Sequence, residues 1–197
     1  MLKHNMKSSI GVVFKKVLLI KLVAWCLIVI PGFALVFGTR DLIRPVPPVY
    51  PAQKINPVIL EWMKNASEMP EEVLSEIYRA AVNNVNSDLI LAICMVESNF
   101  DPGAKSKQGA IGLMGILPRA WLAELKAQGI VREKEDLYLI SNNIASGAYV
   151  LQKYLSKTKT LEKALIDYVG GDPDYARKVM KALGELYLAK WSKPETA

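Results

Sequence analysis

Residues 87–118 read SDLILAICMVESNFDPGAKSKQGAIGLMGILP, and the fold turns on how this stretch divides. Its first part holds eight consecutive apolar residues, Leu89 to Val96, after Ser87 and Asp88, which form a helix-start signal. A helix apolar on every side is one that other helices enclose. Glu97 closes the run, and Ile90, Ile93 and Cys94 stand seven, four and three residues before it, on the face it shares. The second part, Asn99 to Pro118, is irregular and rich in glycine, with Gly103, Gly109, Gly112 and Gly115. Glycine permits positive φ and close backbone approach, so such a loop beside a rigid helix suits a ligand cradle; a plain surface loop is the alternative.

A carboxyl with only apolar neighbours on its helix face is desolvated, which disfavours its charged form and raises its pKa. Such a group keeps a proton near neutral pH, as a general acid must. Pairing with an Arg or Lys, or emergence into solvent at the helix end, is the competing reading of Glu97. Asp101, just before Pro102, reads as a turn former.

Downstream of Pro57 the apolar residues recur at spacings of three and four, without the alternation of strands. Helix starts fall at Pro70, Ser87, Ser141, Thr160 and Asp172-Pro173, and stops at Gly129 and Gly170-Gly171. The expectation is a mainly α domain of roughly six or seven helices, with no strand and no internal repeat. Trp62, Trp121 and Trp191 fall at helical spacing and are expected in core packing.

Upstream the chain changes character. Residues 1–38 contain Lys3, Lys7, Lys15, Lys16 and Lys21 but no acidic residue. The whole chain has 25 Lys and Arg against 19 Asp and Glu, so the rest is almost neutral and offers no basic surface for nucleic acid. Leu22 to Gly38 reads LVAWCLIVIPGFALVFG, which with the preceding VLLI suffices for a hydrocarbon core of roughly 30 Å. Lys15 and Lys16 predict a cytoplasmic N-terminus and a single-pass protein of the inner membrane with its main domain in the periplasm. A cleaved signal peptide is the rival, but Ala34-Leu35-Val36 is a poor cleavage site.

Pro45, Pro47, Pro48, Pro51 and Pro57 make residues 39–58 a Pro-rich spacer that disfavours helix, extended at about 3.1 Å per residue. The division expected is therefore 1–38 basic segment and transmembrane anchor, 39–58 spacer and 59–197 helical domain. Cys26 and Cys94 lie in segments of different kind and are not expected to pair. His4 is the lone histidine, and without a Cys or His cluster neither a metal site nor a cofactor is expected.

The run from Glu97 to Pro118 resembles the signature of the lytic transglycosylases of the soluble (SLT) type, within the lysozyme-like superfamily. The resemblance rests on Glu97-Ser98, Phe100-Asp101-Pro102, Ala104, Ser106, Gly109-Ala110, Gly112-Leu113-Met114 and Pro118, in one register without gaps. Asn143-Ile144 with Gly147, Tyr149 and Leu151 is similar to the family's second element, and Ala164-Leu165 with Tyr168 and Gly170 to its third. These cover about residues 85 to 190 and imply a lysozyme-like helical domain.

The resemblance further implies that Glu97 is the single catalytic acid/base. Ser106 and Tyr168 would lie near the cleaved sugar, with the Gly112 to Leu117 loop, including Met114 and Gly115, lining the cleft. The implied substrate is the peptidoglycan glycan strand, cut at the β-1,4 bond from N-acetylmuramic acid to N-acetylglucosamine with a 1,6-anhydro end. The motif offers no second carboxylate of the kind two-acid glycosidases use, which agrees with one-acid chemistry. Two positions depart from the family pattern: Gly115 stands where Gln is usual, and Val169 where Asn is usual. A non-catalytic glycan-binding or assembly-scaffold domain, and a hydrolytic muramidase, are the alternatives. A secretion or conjugation apparatus is a candidate partner.

Overall fold

The structure, a computed structural model, describes residues 54–192. The expected anchor and most of the expected spacer lie outside them, as does Cys26. Among the described residues no helix is long and apolar enough to cross a membrane.

Of the spacer's prolines, Pro57 is in view, and it opens a helix instead of preventing one. It sits at the first position of α1 (Pro57–Ala66), where its missing N–H leaves no bond unmade, and Asn56 Oδ1 accepts from the N–H groups of Val58 at 2.9 Å and Ile59 at 3.3 Å. Six further α-helices follow among the described residues: α2 (Glu71–Val82), α3 (Ser87–Ser98), α4 (Pro118–Ala127), α5 (Ile140–Leu155), α6 (Leu161–Val169) and α7 (Pro173–Ser192). The mainly α expectation holds for the described residues. Their β-type pairing is limited to two isolated bridges that Ile111 makes with Lys105 and Ile116.

Local chemistry explains most helix ends. Thr160 Oγ1 accepts from Lys163 N–H, and Asp172 Oδ1 accepts from Asp174 N–H at 2.9 Å beside Pro173. Gly170 closes α6 at φ +90°. Two starts differ from expectation. Ser87 is already helical, with Asn86 as the left-handed cap, and α5 begins at Ile140 instead of Ser141. A 3-10 helix at Lys134–Tyr138, closed by a reciprocal Glu133 and Asp136 capping box, delivers the chain directly into α5. Its residues are mostly charged and polar, so apolar periodicity did not reveal it.

The core forms around α3, which packs on α2, α5 and α7. Leu89 through Cys94 are all buried, as the unbroken apolar run requires. Each fully buried Leu or Ile there contributes about 1.5–3 kcal/mol. Trp62 of α1 meets Phe100 edge to face at 5.8 Å. Trp191 departs from the core-packing expectation: it is 87% exposed on the last turn of α7.

Candidate active site

Glu97 lies in the last turn of α3, and two left-handed residues just beyond it turn the chain sharply back. These are Asn99 and Phe100, at φ 55° and 63°, and the Phe100 N–H bonds to the Cys94 carbonyl. That conformation costs about 1–2 kcal/mol for a residue with a Cβ. Complete burial of the Phe100 ring against Trp62 offsets it. Asp101 Oδ1 then accepts from Gly103 N–H at 2.8 Å, the turn-forming role expected of it.

Three helices hold the returning loop. On α5, buried Asn143 accepts from Met114 N–H at 2.9 Å and donates to the carbonyls of Ile111 at 3.0 Å and Leu137 at 2.6 Å. From α3, Ser98 Oγ lies 2.9 Å from the Cys94 carbonyl and 3.0 Å from the Leu113 carbonyl, sharing one proton between them. From α6, the Tyr168 hydroxyl donates to the Met114 carbonyl at 2.7 Å. A Cβ on Gly147 would stand 2.2 Å from Met114 Sδ, so only glycine lets α5 come this close.

The result is a cleft of about 560 Å³ that Glu97 lines together with Ser106, Gly115, Leu117 and Tyr168. Gly112 and Met114, expected on its surface, are instead buried beneath it. They belong to the anchoring of the loop, since Met114 offers its backbone to Asn143 and Tyr168. Ser106 is exposed, and its Oγ accepts from Ala110 N–H at 3.0 Å. Val169, the second departure from the family pattern, also lines the cleft.

Burial holds the Glu97 carboxyl above its ordinary pKa, and the nearby Tyr175 hydroxyl partly offsets this by favouring the charged form. The Tyr175 hydroxyl is itself buried, and among the described residues Glu97 is the one protein group it engages. Burial and the neighbouring Glu97 push the pKa values of Tyr168, Tyr175 and Cys94 up, so all three stay protonated. No ion pair involves Glu97 among the described residues, so the Arg- or Lys-paired reading of this carboxyl fails.

Sequence reasoning missed Tyr175 and left Trp121 unassigned. Trp121 lines the cleft, edge to face with Tyr154 at 5.9 Å. Tyr154 meets Tyr168 at 6.3 Å, and Tyr168 stacks on Tyr175 at 6.4 Å, so an aromatic row runs from Trp121 to the acid. Lys153 lies 5.3 Å from the Trp121 ring centroid and pairs with Glu124, which also accepts from the Tyr149 hydroxyl at 2.6 Å. The signal for Tyr175 was its place one turn past Gly170-Gly171, but only the packing of α7 on α3 puts it beside Glu97. Asp167 and Asp172 also line the cleft, Asp167 in an ion pair with Lys163.

The described residues form a mainly helical domain that presents the partly buried carboxyl of Glu97 to a cleft lined by Trp121, Tyr154 and Tyr168. The chain matches the family described as Transglycosylase SLT domain over residues 75–185, more than half its length, and belongs to that family. A transglycosylase of Enterobacteria phage PRD1 is 29% identical over 117 residues, covering 55% of this chain and 41% of the phage protein. The match thus spans less than half of that relative. No solved structure gives a significant match.

Proposed function

We propose that the domain is a peptidoglycan lytic transglycosylase in which Glu97 acts as both acid and base. The observation that carries this reading is the partly buried carboxyl of Glu97, held above its ordinary pKa and opening onto the cleft. In its protonated form Glu97 donates to the glycosidic oxygen as the bond from muramyl C1 breaks. The substrate acetamido group stabilises the cationic carbon. The Glu97 carboxylate then removes the proton of the muramyl C6 hydroxyl as O6 bonds to C1. The anhydro ring closes, the carboxyl regains its proton, and no water is consumed. Trp121 and Tyr154, which line the cleft, offer faces for stacking on sugar rings.

A mass-spectrometric digest of purified murein tests this. The parent should release 1,6-anhydro muropeptides, and Glu97→Gln should reduce their rate by at least about 100-fold without loss of fold. Fragments with reducing ends would favour the hydrolytic muramidase instead, a reading supported by Asp167 and Asp172 on the cleft margin. Binding without release of fragments would favour the scaffold reading. The proposal extends to the setting: an N-terminal anchor in residues 1–38 would hold the domain on the periplasmic side of the inner membrane, within reach of the wall and of a secretion or conjugation apparatus.

A further inference from the structure

The loop carrying Gly115 meets Glu97 more closely than a lining residue would. Gly115 has φ +60°, and a Cβ built on it would lie 2.4 Å from Glu97 Oε2, 2.7 Å from Cδ and 3.3 Å from Oε1. Real Cβ atoms essentially never stand that close to a non-bonded neighbour, so at the first two separations something would have to shift. The carboxyl therefore rests in the space a side chain at residue 115 would take.

Of the two partners, the loop is the one that does not readily step aside. The loop is tied just before Gly115, at Leu113 and Met114, by Ser98, Asn143 and Tyr168 from three different helices. Gly115 N–H bonds to the Gly112 carbonyl at 3.1 Å, and Ile111 and Ile116 exchange both backbone bonds at 2.8 and 3.0 Å. A Cβ at residue 115 would move the carboxyl before it moved the loop.

We propose that Gly115 is the positioning residue of the acid: by lacking a side chain it makes the seat that holds the Glu97 carboxyl against the loop. This rests on the reading of Glu97 as acid/base and deepens it. On the loop side the seat brings no ionisable side chain, since residues 111–117 are IGLMGIL. The titratable groups around the carboxyl are Cys94 on α3, Tyr168 on α6 and Tyr175 on α7, all held protonated. Arg119, Asp167 and Asp172 line other parts of the cleft. A carboxyl driven from the seat gains solvent, ionises at lower pH and loses its aim.

Two substitutions separate this role from backbone strain. Gly115→Asn keeps a residue that tolerates the left-handed conformation but adds the Cβ. Gly129→Ala introduces the same strain at φ +70°, with nothing within 4 Å of the added Cβ. In the full-length protein labelled with carbon-13 at glutamate Cδ, with Glu97→Gln to assign the resonance, Gly115→Asn should move the Glu97 titration to lower pH. Gly129→Ala should leave it unchanged. Murein cleavage by Gly115→Asn should fall about 100-fold, as misplacement by an ångström does, with its alkaline limb shifted to lower pH.

If Gly115→Asn does not fold, thermal stability supplies the test. Glu97→Asp withdraws the carboxyl by one methylene, so Gly115→Ala should lower the melting temperature by several degrees less in that background than in the parent. An unchanged Glu97 titration in folded Gly115→Asn, or equal losses in the two backgrounds, overturns the proposal. A parent inactive on murein that still shows the titration shift and the coupling overturns the functional reading alone.

Discussion

At the scale of single residues, the state of Glu97 links stability to chemistry. Burial raises its pKa, so the folded protein holds this proton to higher pH than the unfolded chain, where Glu titrates near 4.3. Full stability is present below the unfolded value, and part of it is lost as pH rises through the raised folded value. Glu97→Gln removes that loss. It should raise the melting temperature by a few degrees at pH 7 and change little at pH 4, which calorimetry at the two pH values checks. On the proposed mechanism the first step needs this proton, so the murein digest should slow as pH rises through the Glu97 titration. Glu97, Ser98 and Tyr168 could be picked out by their place in the pattern. What Ser98 and Tyr168 hold is visible only when the loop carbonyls they bond to, Leu113 and Met114, are in place.

Elements are joined at this site by one amide. Asn143 sits in a helix but spends its side chain on residues 111, 114 and 137, tying the glycine-rich loop and the 3-10 helix to α5. Asn143→Ala would strip these bonds from Met114 N–H and the Leu137 carbonyl, while the Ile111 carbonyl keeps its bond from Ile116 N–H. Each buried group left unpaired costs about 1–3 kcal/mol, so the variant should lose about 2 kcal/mol or more in urea denaturation. Its murein cleavage should fall together with its stability, since the loop that seats the acid is loosened. A variant as stable as the parent would show that water replaces the amide. The helices themselves were readable from apolar spacing and cap residues. The 3-10 helix was not, because its stability comes from the reciprocal Glu133 and Asp136 contacts and one buried residue, Leu137, and not from an apolar face.

For the whole molecule, the described residues carry a continuous buried core from Ile59 to Leu186, and this predicts that they fold as a domain. A chain beginning at Lys54 should unfold cooperatively, with a melting temperature within a few degrees of the full-length protein, by circular dichroism. A broad, non-cooperative transition would show that upstream residues complete the fold. The surface charges carry little of this stability: Lys190 and Asp88, 102 residues apart in sequence, join α7 to α3 at 2.9 Å, a partly exposed pair of the kind worth about 0–1 kcal/mol. The basic C-terminal helices are laced with such pairs, among them Lys163 with Asp167 and Arg177 with Asp174, in keeping with a solvated face. Sequence by itself determined the helical class, the enclosed α3, the acid at its end and the glycine-rich loop behind it, because each comes from local spacing and backbone preference. The tertiary structure alone decided that Met114 and Gly112 lie under the cleft, that Trp121 reaches it, that Tyr175 lies beside Glu97, and that Gly115 meets the carboxyl. Those are distances between segments far apart along the chain, set by how α5, α6 and α7 close around α3, and no periodicity within one segment encodes them.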